Sequence, residues 1–220
     1  GNNTDFSCKV IAGYDYVNND TNPMDDHYHG THVAGIIAAN GSIVGVAPGA
    51  KIVAIKALDS AGSGSFDDID AGINWCANNA TIFNISVISM SIGTLLSLYN
   101  SYCDSSYSST ASAIDNAVAK NITVVVATGN NGNTSAISSP ACIRKSTRGG
   151  AVSKSDGVVY NRNNITDILA PGVSINSTYL TGYISLSGTS MATPHVAGAI
   201  ALLKQFKKLE KNVKGKSRCF

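Results

Sequence analysis

Short apolar runs alternate along the chain with segments of helical periodicity, and this alternation restricts the fold more than any other feature. Ranges 51–58, 85–92 and 121–127 are rich in β-branched residues and predict buried strands. Ranges 67–79 and 109–120 carry apolar residues at helical spacing. This order predicts an α/β fold with three layers, in which helices cover both faces of a doubly wound, mostly parallel sheet.

Composition excludes several classes of protein. The chain has 220 residues, which suits one domain, and 44% of them are apolar, which is enough for a core. The net charge is only +2, so we expect neither a nucleic acid nor a lipid surface as partner. No apolar run reaches the roughly 18 residues of a membrane span.

Ligands of parallel sheets bind at the carboxyl ends of the strands, so the residues that follow the predicted strands are the first to be considered as functional residues.

The cysteines fit no zinc or CxxC spacing. Cys103 and Cys142 flank one strand–loop unit, and we predict a disulfide between them. The alternative is five unlinked thiols in a reducing compartment. The sequence also holds nine Asn-x-Ser/Thr sequons, whose density favours an exported protein. The cysteines lie at Cys8, Cys76, Cys103, Cys142 and Cys219.

A first candidate for chemistry is the segment HGTHVAG at 29–35. Its small residues predict a tightly packed helix with His29 in the first turn, where a neutral imidazole can act as a general base. The segment can instead be a surface helix cap. A metal pair is a further alternative, because His29 and His32 lie three residues apart on one helix face, but no third ligand lies nearby in sequence.

A second candidate is GTSMATPHVAG at 188–198, which opens a long helix. The Ser190 oxygen would lie beside free backbone N–H groups and the positive end of the helix dipole, which stabilises negative charge during acyl transfer. The simpler interpretation is that Thr189 or Ser190 only caps the helix. Pro194 and the glycines make the segment more specific than a cap requires.

A third candidate is ATGNNG at 127–132, directly after the strand at 121–127. The side-chain amide of Asn130 can donate a hydrogen bond to an oxyanion. The alternatives are an ordinary Asn-Gly turn and a phosphate-binding loop. No GxxxxGK[ST] or GxGxxG is present, which argues against the phosphate loop.

These three segments together resemble the histidine, nucleophile and oxyanion motifs of the subtilisin-like serine peptidases, or subtilases. The stretches SMSIG at 89–93 and VGVAPGA at 44–50 are similar to the strand that lines the specificity pocket and to the run before a core strand. The resemblance covers nearly all of residues 9–205 and implies that 1–220 is part of a subtilase catalytic domain.

The resemblance implies a serine endopeptidase. Ser190 would attack the scissile carbonyl, His29 would accept and return the proton, and Asn130 would donate to the oxyanion. It implies protein or peptide substrates, a secreted monomer, no cofactor for catalysis, and structural calcium with ligands that the sequence does not identify. The expected substrate-binding residues are Ser91, Ile92, Gly93, Ala127 and Gly129, and their small size suggests a pocket that accepts bulky apolar side chains.

The family's catalytic acid has no counterpart in the sequence. That aspartate precedes the histidine by roughly 30 residues or more and follows an apolar strand. Asp5 has no strand before it, and Asp15 lies in a segment that resembles the region downstream of the acid. Asp25 and Asp26 resemble an acidic pair before the histidine. We therefore expect the acid and its strand to lie before residue 1, with Asp26 as an alternative substitute.

Two further hypotheses share part of this pattern. One is a subtilase fold without catalysis, because the acid is missing. The other is an α/β nucleotide-binding module, which the missing phosphate loop disfavours. Tyr28 is a local departure, because it stands where the family usually has glycine.

Overall fold

Strands and helices alternate as the sequence predicts in the computed structural model, which describes residues 3–216. The helices follow a short 3-10 turn at Thr4–Phe6. They are α1 (His29–Ala38), α2 (Phe66–Asn78), α3 (Ala80–Phe83), α4 (Ser108–Ala119) and α5 (Thr189–Lys216). None of the helices in this part of the chain has the length and apolar character that crossing a bilayer requires.

The parallel strands form two separate sheets. The first pairs β1 (Val10–Asp15) with β2 (Ile52–Lys56). The second has the order β3, β5, β7 in parallel, with two further strands on β7, one parallel and one antiparallel. Its members are β3 (Val87–Met90), β5 (Thr123–Ala127), β7 (Thr147–Val152), β8 (Val158–Val159) and β9 (Ile168–Pro171).

Two small antiparallel pairs complete the strands. One is β4 (Leu98–Tyr99) with β6 (Ile137–Ser138), and the other is β10 (Ile175–Thr178) with β11 (Tyr183–Leu186). The second pair supports the helix that begins at His29. Ser177 and Thr178 donate side-chain hydrogen bonds of 2.8 Å to carbonyls of α1.

Helices cover both faces of the larger sheet, so the predicted three layers are confirmed. Val124 and Val126 of β5 pack in a cluster with α2 and α4, whereas Val125 packs in a second cluster with α5. All three side chains are 0% exposed, which is the expected burial of a central parallel strand. Because successive side chains of β5 point to opposite faces of the sheet, the two helix layers that they contact lie on opposite sides.

The predicted disulfide between Cys103 and Cys142 is confirmed, with the two Cα atoms 5.4 Å apart. Both residues are buried, and the backbone N–H of Cys103 also donates to the carbonyl of Cys142. Cys8 and Cys76 are free, and Cys219 lies outside the described residues. The bond ties the loop after β4 to the segment that follows Pro140.

Removing this disulfide should lower the free energy of unfolding. The bond closes a loop with a sequence separation of 39, and the loss of that cross-link in a Cys103→Ala/Cys142→Ala variant should cost about 3–4 kcal/mol. Urea unfolding followed by circular dichroism measures the change, and Cys8→Ser, at an exposed free thiol, is the control. A change below about 1 kcal/mol would contradict the expectation.

Candidate active site

The helix that carries His29 begins at that residue and is capped by Asp25. One carboxylate oxygen of Asp25 accepts from the backbone N–H groups of His27 and Tyr28, and the other accepts from the N–H and hydroxyl of Thr31 at 2.6 Å. A carboxylate at a helix N-terminus satisfies free N–H groups and complements the dipole. The sequence marked this aspartate as part of an acidic pair, and the structure gives it a positioning role.

Tyr28 occupies an unusual backbone conformation directly before His29. Its φ of 99° lies in the left-handed region, where a side chain costs roughly 1–2 kcal/mol relative to glycine. Its ring stacks on His27, with centroids 4.3 Å apart, and also lies 5.2 Å from the ring of Tyr179. The left-handed conformation explains why glycine is favoured at position 28. The contacts of the Tyr28 ring offset part of the conformational cost.

The environment of the His29 ring favours its neutral form. Loss of solvent around the ring lowers the pKa of His29, and the charges of His27 and His32 lower it further. The negative charge of Asp25 acts in the opposite direction but is the smallest of these effects. A neutral imidazole is the form that can accept a proton from a nucleophile.

Ser190 lies in the first turn of α5 and contacts the end of β3. Its hydroxyl donates a long hydrogen bond of 3.4 Å to the carbonyl of Ser91, and the Ser91 hydroxyl donates to the carbonyl of Ser190 at 2.8 Å. His29 and Ser190 line the same cavity. Across residues 3–209 no hydrogen bond joins their side chains, whereas proton transfer from Ser190 to His29 would need such a contact.

Asn130 is held in one orientation by the start of α5. Its Oδ1 accepts from the backbone N–H of Thr189 at 2.8 Å and from the Thr189 hydroxyl at 3.0 Å. That hydroxyl in turn accepts from the N–H of Gly129 at 3.1 Å. Within the described part of the chain no acceptor engages the Nδ2 of Asn130, which leaves this donor free in the cavity.

Thr189 is a positioning residue that sequence reasoning considered only as a cap. Its place next to Ser190 was visible, but its contact with Asn130 joins residues 59 positions apart. A side chain's partner at that distance cannot be found from local patterns. What the sequence does show is that Thr189 carries a hydroxyl group and directly precedes Ser190 in the motif.

The predicted substrate-binding residues all line the same cavity as His29 and Ser190. Ser91, Ile92 and Gly93 follow β3, and Ala127 and Gly129 lie at the end of β5, and together they form two walls of the cavity lining. Ser138, a buried residue that the sequence does not mark, lies close to both segments.

The position of Ser138 explains two glycines of the cavity. A Cβ at Gly93 would lie 3.3 Å from the Cβ of Ser138, and a Cβ at Gly129 would overlap its hydroxyl. Gly129 also has a φ of 102°, which favours glycine. Both walls are therefore restricted to small residues where they approach Ser138.

Two further histidines make contacts within the packed structure. His32 is 0% exposed, and its Nε2 lies 3.1 Å from the carbonyl of Ile184. The Nδ1 of His195 lies 2.8 Å from the carbonyl of Met191, one turn earlier in α5. These contacts agree with structural roles.

None of the four candidate aspartates pairs with His29. The carboxylates of Asp15 and Asp26 lie 3.6 and 3.5 Å from the ammonium of Lys56. Asp26 therefore does not take the place of the missing acid here. Among the side chains described, those of residues 3–209, no carboxylate lies within ion-pair distance of the His29 ring.

The other two aspartates have structural partners. Asp25 caps α1, as described above. Asp5 is 3% exposed and accepts from the backbone N–H groups of Ser42 and Ile43 and from the hydroxyl of Tyr183. Asp25 and Asp5 thus contact groups other than His29. This agrees with the sequence, in which neither residue lies in a segment that matches the family's catalytic-acid motif.

Metal-binding side chains do not gather in the described residues. Nowhere between residues 3 and 209, where side chains are described, do three or more His, Cys, Asp or Glu side chains form a group that could hold a metal ion. The metal pair of His29 and His32 accordingly finds no third ligand of these types. The expectation of structural calcium stays untested.

Comparison with known proteins gives consistent matches. The sequence profile of the Subtilase family matches residues 1–214. A thermophilic serine proteinase from Bacillus sp. (strain AK1) is 42% identical over 207 residues, which is 90% of this chain and 48% of that protein. Subtilisin E from Bacillus subtilis (strain 168) is also 42% identical, over 88% of this chain and 50% of its own.

Solved structures agree with these sequence matches. A cold-adapted subtilisin-like serine proteinase superposes with a TM-score of 0.79 and 34% identity, covering 93% of this chain and 71% of that one. The chain spans about half the length of the two relatives named above.

Proposed function

The chain belongs to the subtilase family, and from that premise we propose that it cleaves internal peptide bonds by acyl transfer to Ser190. The observation that carries the proposal is one cavity bordered by Ser190, His29 and Asn130, whose Nδ2 has no acceptor among the described residues. These are the nucleophile, the base and the oxyanion donor that the reaction needs.

The proposed reaction starts with attack of the Ser190 Oγ on the scissile carbonyl carbon. His29 takes the hydroxyl proton, and the carbonyl oxygen becomes an oxyanion that accepts from Asn130 Nδ2 and from the backbone N–H of Ser190. Collapse of this intermediate breaks the C–N bond, and His29 returns the proton to the leaving amine. Water then repeats the sequence on the acyl-enzyme and restores the serine.

Because no carboxylate of the described residues lies beside His29, we expect a low rate. In serine peptidases that acid fixes the imidazole tautomer and stabilises the imidazolium, and its replacement by an amide in a trypsin-like enzyme cost about 10⁴ in turnover. A second candidate function is therefore peptide binding without catalysis. The missing contact between His29 and Ser190 in the described chain favours that alternative.

We further propose a class of substrate, a cellular location and an oligomeric state for the chain. Substrates would be proteins or peptides with bulky apolar side chains, since Gly93 and Gly129 keep the cavity walls small. An extracellular location is supported by the disulfide, which persists in oxidising compartments. We also propose that the chain acts as a monomer, which size-exclusion chromatography with light scattering would test.

Product analysis tests the proposed reaction. The full chain is incubated with a blocked peptide that contains one bulky apolar residue, and mass spectrometry identifies the fragments. We expect cleavage at a single internal bond, absent in a Ser190→Ala control of equal fold. Intact peptide in both samples, with saturable peptide binding, would support the non-catalytic alternative.

The pH dependence of any hydrolysis should report the pKa of His29. The neutral ring is the base, so the rate rises with pH through this pKa and is lost below it. Because desolvation lowers the pKa, the acidic limb of kcat/KM should have its midpoint below the ordinary histidine value of about 6.5. His27→Gln removes a charge that lowers the pKa, so it should move the midpoint upward. A midpoint above the ordinary value in the parent chain would contradict this account.

A further inference from the structure

Each of the helices α1 to α4 is followed, within two residues of its end, by the asparagine of an Asn-x-Ser/Thr sequon. An asparagine at this position is expected, because the left-handed conformation that closes many helices favours Gly and Asn. A helix end does not require a hydroxyl residue two positions later, so the Ser or Thr of each sequon needs another explanation. The four asparagines are Asn40, Asn79, Asn84 and Asn121.

Two of these sequons have side chains that the fold does not use. Asn84 and Asn121 are exposed and have φ angles of 52° and 62°, which are left-handed. In the part of the chain whose side chains are described, neither side-chain amide has a hydrogen-bond partner. The hydroxyls of Ser86 and Thr123, which complete the two sequons, have none there either. The backbone therefore accounts for the asparagines, and no contact accounts for the hydroxyls.

The two sequons form one surface, which we call the sequon pair and define as residues 84–86 and 121–123. The backbone N–H of Thr123 donates to the carbonyl of Ser86 at 3.0 Å. The ammonium of Lys204 donates to the carbonyls of Ser86 and Asn121, at 2.8 and 2.6 Å. The sequon pair lies at the amino ends of β3 and β5, whereas the candidate active site lies at their carboxyl ends. A bulky group on the sequon pair would therefore leave that site open.

Large apolar side chains are exposed beside the sequon pair. Ile82, two residues before Asn84, is 72% exposed. Leu203 and Phe206, on either side of Lys204 in α5, are 67% and 62% exposed. Exposed apolar surface of this kind favours association between molecules, and a linked oligosaccharide is bulky and hydrophilic. An oligosaccharide at the sequon pair would cover this surface.

We propose that Asn84 and Asn121 carry N-linked glycans, which rests on the proposed extracellular location but not on peptidase activity. In the transfer, the Nδ2 atom forms a bond to the anomeric carbon of a lipid-linked oligosaccharide diphosphate. The bond between that carbon and the diphosphate oxygen breaks, the lipid diphosphate leaves with the electron pair, and the amide nitrogen loses one proton. An oligosaccharide transferase of the export pathway catalyses this step.

Asn79 provides an internal contrast. Its Nδ2 donates to the carbonyl of Trp75 at 2.9 Å, in the last turn of α2, and the residue is half-buried. A glycan on this nitrogen would displace it from the contact and would meet the packed end of the helix. The folded, exported chain should therefore carry no glycan at Asn79, although its sequon is intact.

Glycopeptide mapping tests the proposal on the full chain. The chain carries Ser190→Ala and a secretory signal, and it is purified from the medium of eukaryotic cells. Peptide N-glycosidase in heavy-oxygen water converts each glycan-linked asparagine to a labelled aspartate, which tandem mass spectrometry locates. We expect the label at Asn84 and Asn121 and none at Asn79. The supplied signal separates this result from the proposed location, and Ser190→Ala separates it from the peptidase mechanism.

Hydroxyl substitutions identify the sites a second time. Ser86→Ala and Thr123→Val break the two sequons but keep the asparagines that the left-handed turns favour. Each should lower the mass of the secreted chain by one glycan, and the double variant should lose two. Thr81→Ala breaks the sequon of Asn79 in the same way and should leave the mass unchanged. Circular dichroism checks that each variant is folded.

Two results would overturn the proposal. They are a folded, secreted chain without glycan at Asn84 and Asn121, and a loss of glycan in Thr81→Ala but not in Ser86→Ala or Thr123→Val. If the cells do not secrete a variant, translation of the parent chain with microsomal membranes replaces the mass comparison. Absence of glycan at both asparagines in that assay also counts against the sites, and its presence at both supports them.

Discussion

Replacing Asn130 by Asp should lower kcat about 10²–10³-fold, the loss known for this donor in subtilisin, without lowering the stability of the fold. The Oδ1 of Asn130 accepts from the N–H and hydroxyl of Thr189, and a carboxylate oxygen keeps that role. A negative charge also suits the start of α5. What disappears is the Nδ2 donor, and a charge that repels the oxyanion takes its place.

A second substitution separates the two roles of Asn130. Asn130→Ala removes the acceptor as well, so it should lose the same catalytic factor and also about 1 kcal/mol of unfolding free energy, the usual cost of a lost cap. Steady-state kinetics on a chromogenic ester and urea unfolding measure the two effects. Unchanged kcat in Asn130→Asp would show that this amide does not contact the oxyanion.

Replacing His29 by Gln should lower hydrolysis by about 10²-fold relative to the parent chain. In subtilisin, loss of the histidine costs about 2 × 10⁶ and loss of the acid alone about 3 × 10⁴. Their ratio is the part that the histidine still contributes when no carboxylate supports it. The substitution should also abolish the pH dependence of the acidic limb, because the titrating base is gone.

The neighbouring residue His27 provides the control for the His29→Gln substitution. His27→Gln leaves the base in place and should change the rate far less than His29→Gln, although it moves the pH midpoint. Rates are compared on the same ester across the acidic limb. A His29→Gln variant that keeps the parent rate and pH profile would show that residual hydrolysis does not pass through this imidazole.

Strand and helix positions were predictable because burial imposes regular patterns on the sequence. The run NITVVVA contains β5, and the predicted helices at 67–79 and 109–120 agree with α2 and α4 to within one residue at each end. The alternation of Val124, Val125 and Val126 between two cores follows from the pleat of a strand. Local patterns of this kind determine whether a segment forms a strand or a helix, and which layers pack on each face of the sheet.

Contacts between distant segments were not predictable in the same way. The β10–β11 pair, which holds α1 through Ser177 and Thr178, left no local signal that linked it to His29. The structure explains Gly35 instead, since a Cβ there would overlap both hydroxyls. The motif glycine thus records a close approach whose partner appears only in three dimensions.

The sequence suggested which residues form the candidate site but not how their side chains are oriented. The motifs and the family resemblance pointed to His29, Ser190 and Asn130, and all three border one cavity, while their catalytic roles stay a proposal. Sequence reasoning could not show that the Ser190 hydroxyl donates to Ser91 rather than to His29, or that Asp26 contacts Lys56. Those outcomes depend on side-chain orientation, which local sequence does not determine.

Covalent labelling tests the central claim most directly. The folded full chain is treated with a fluorophosphonate probe at a pH above the titration of His29, and the adduct is mapped by tandem mass spectrometry. We predict one adduct on the Ser190 hydroxyl, slowed in His29→Gln and absent in Ser190→Ala. A folded chain that takes up no probe, or takes it up equally at other serines, would contradict the assignment of Ser190 as an activated nucleophile.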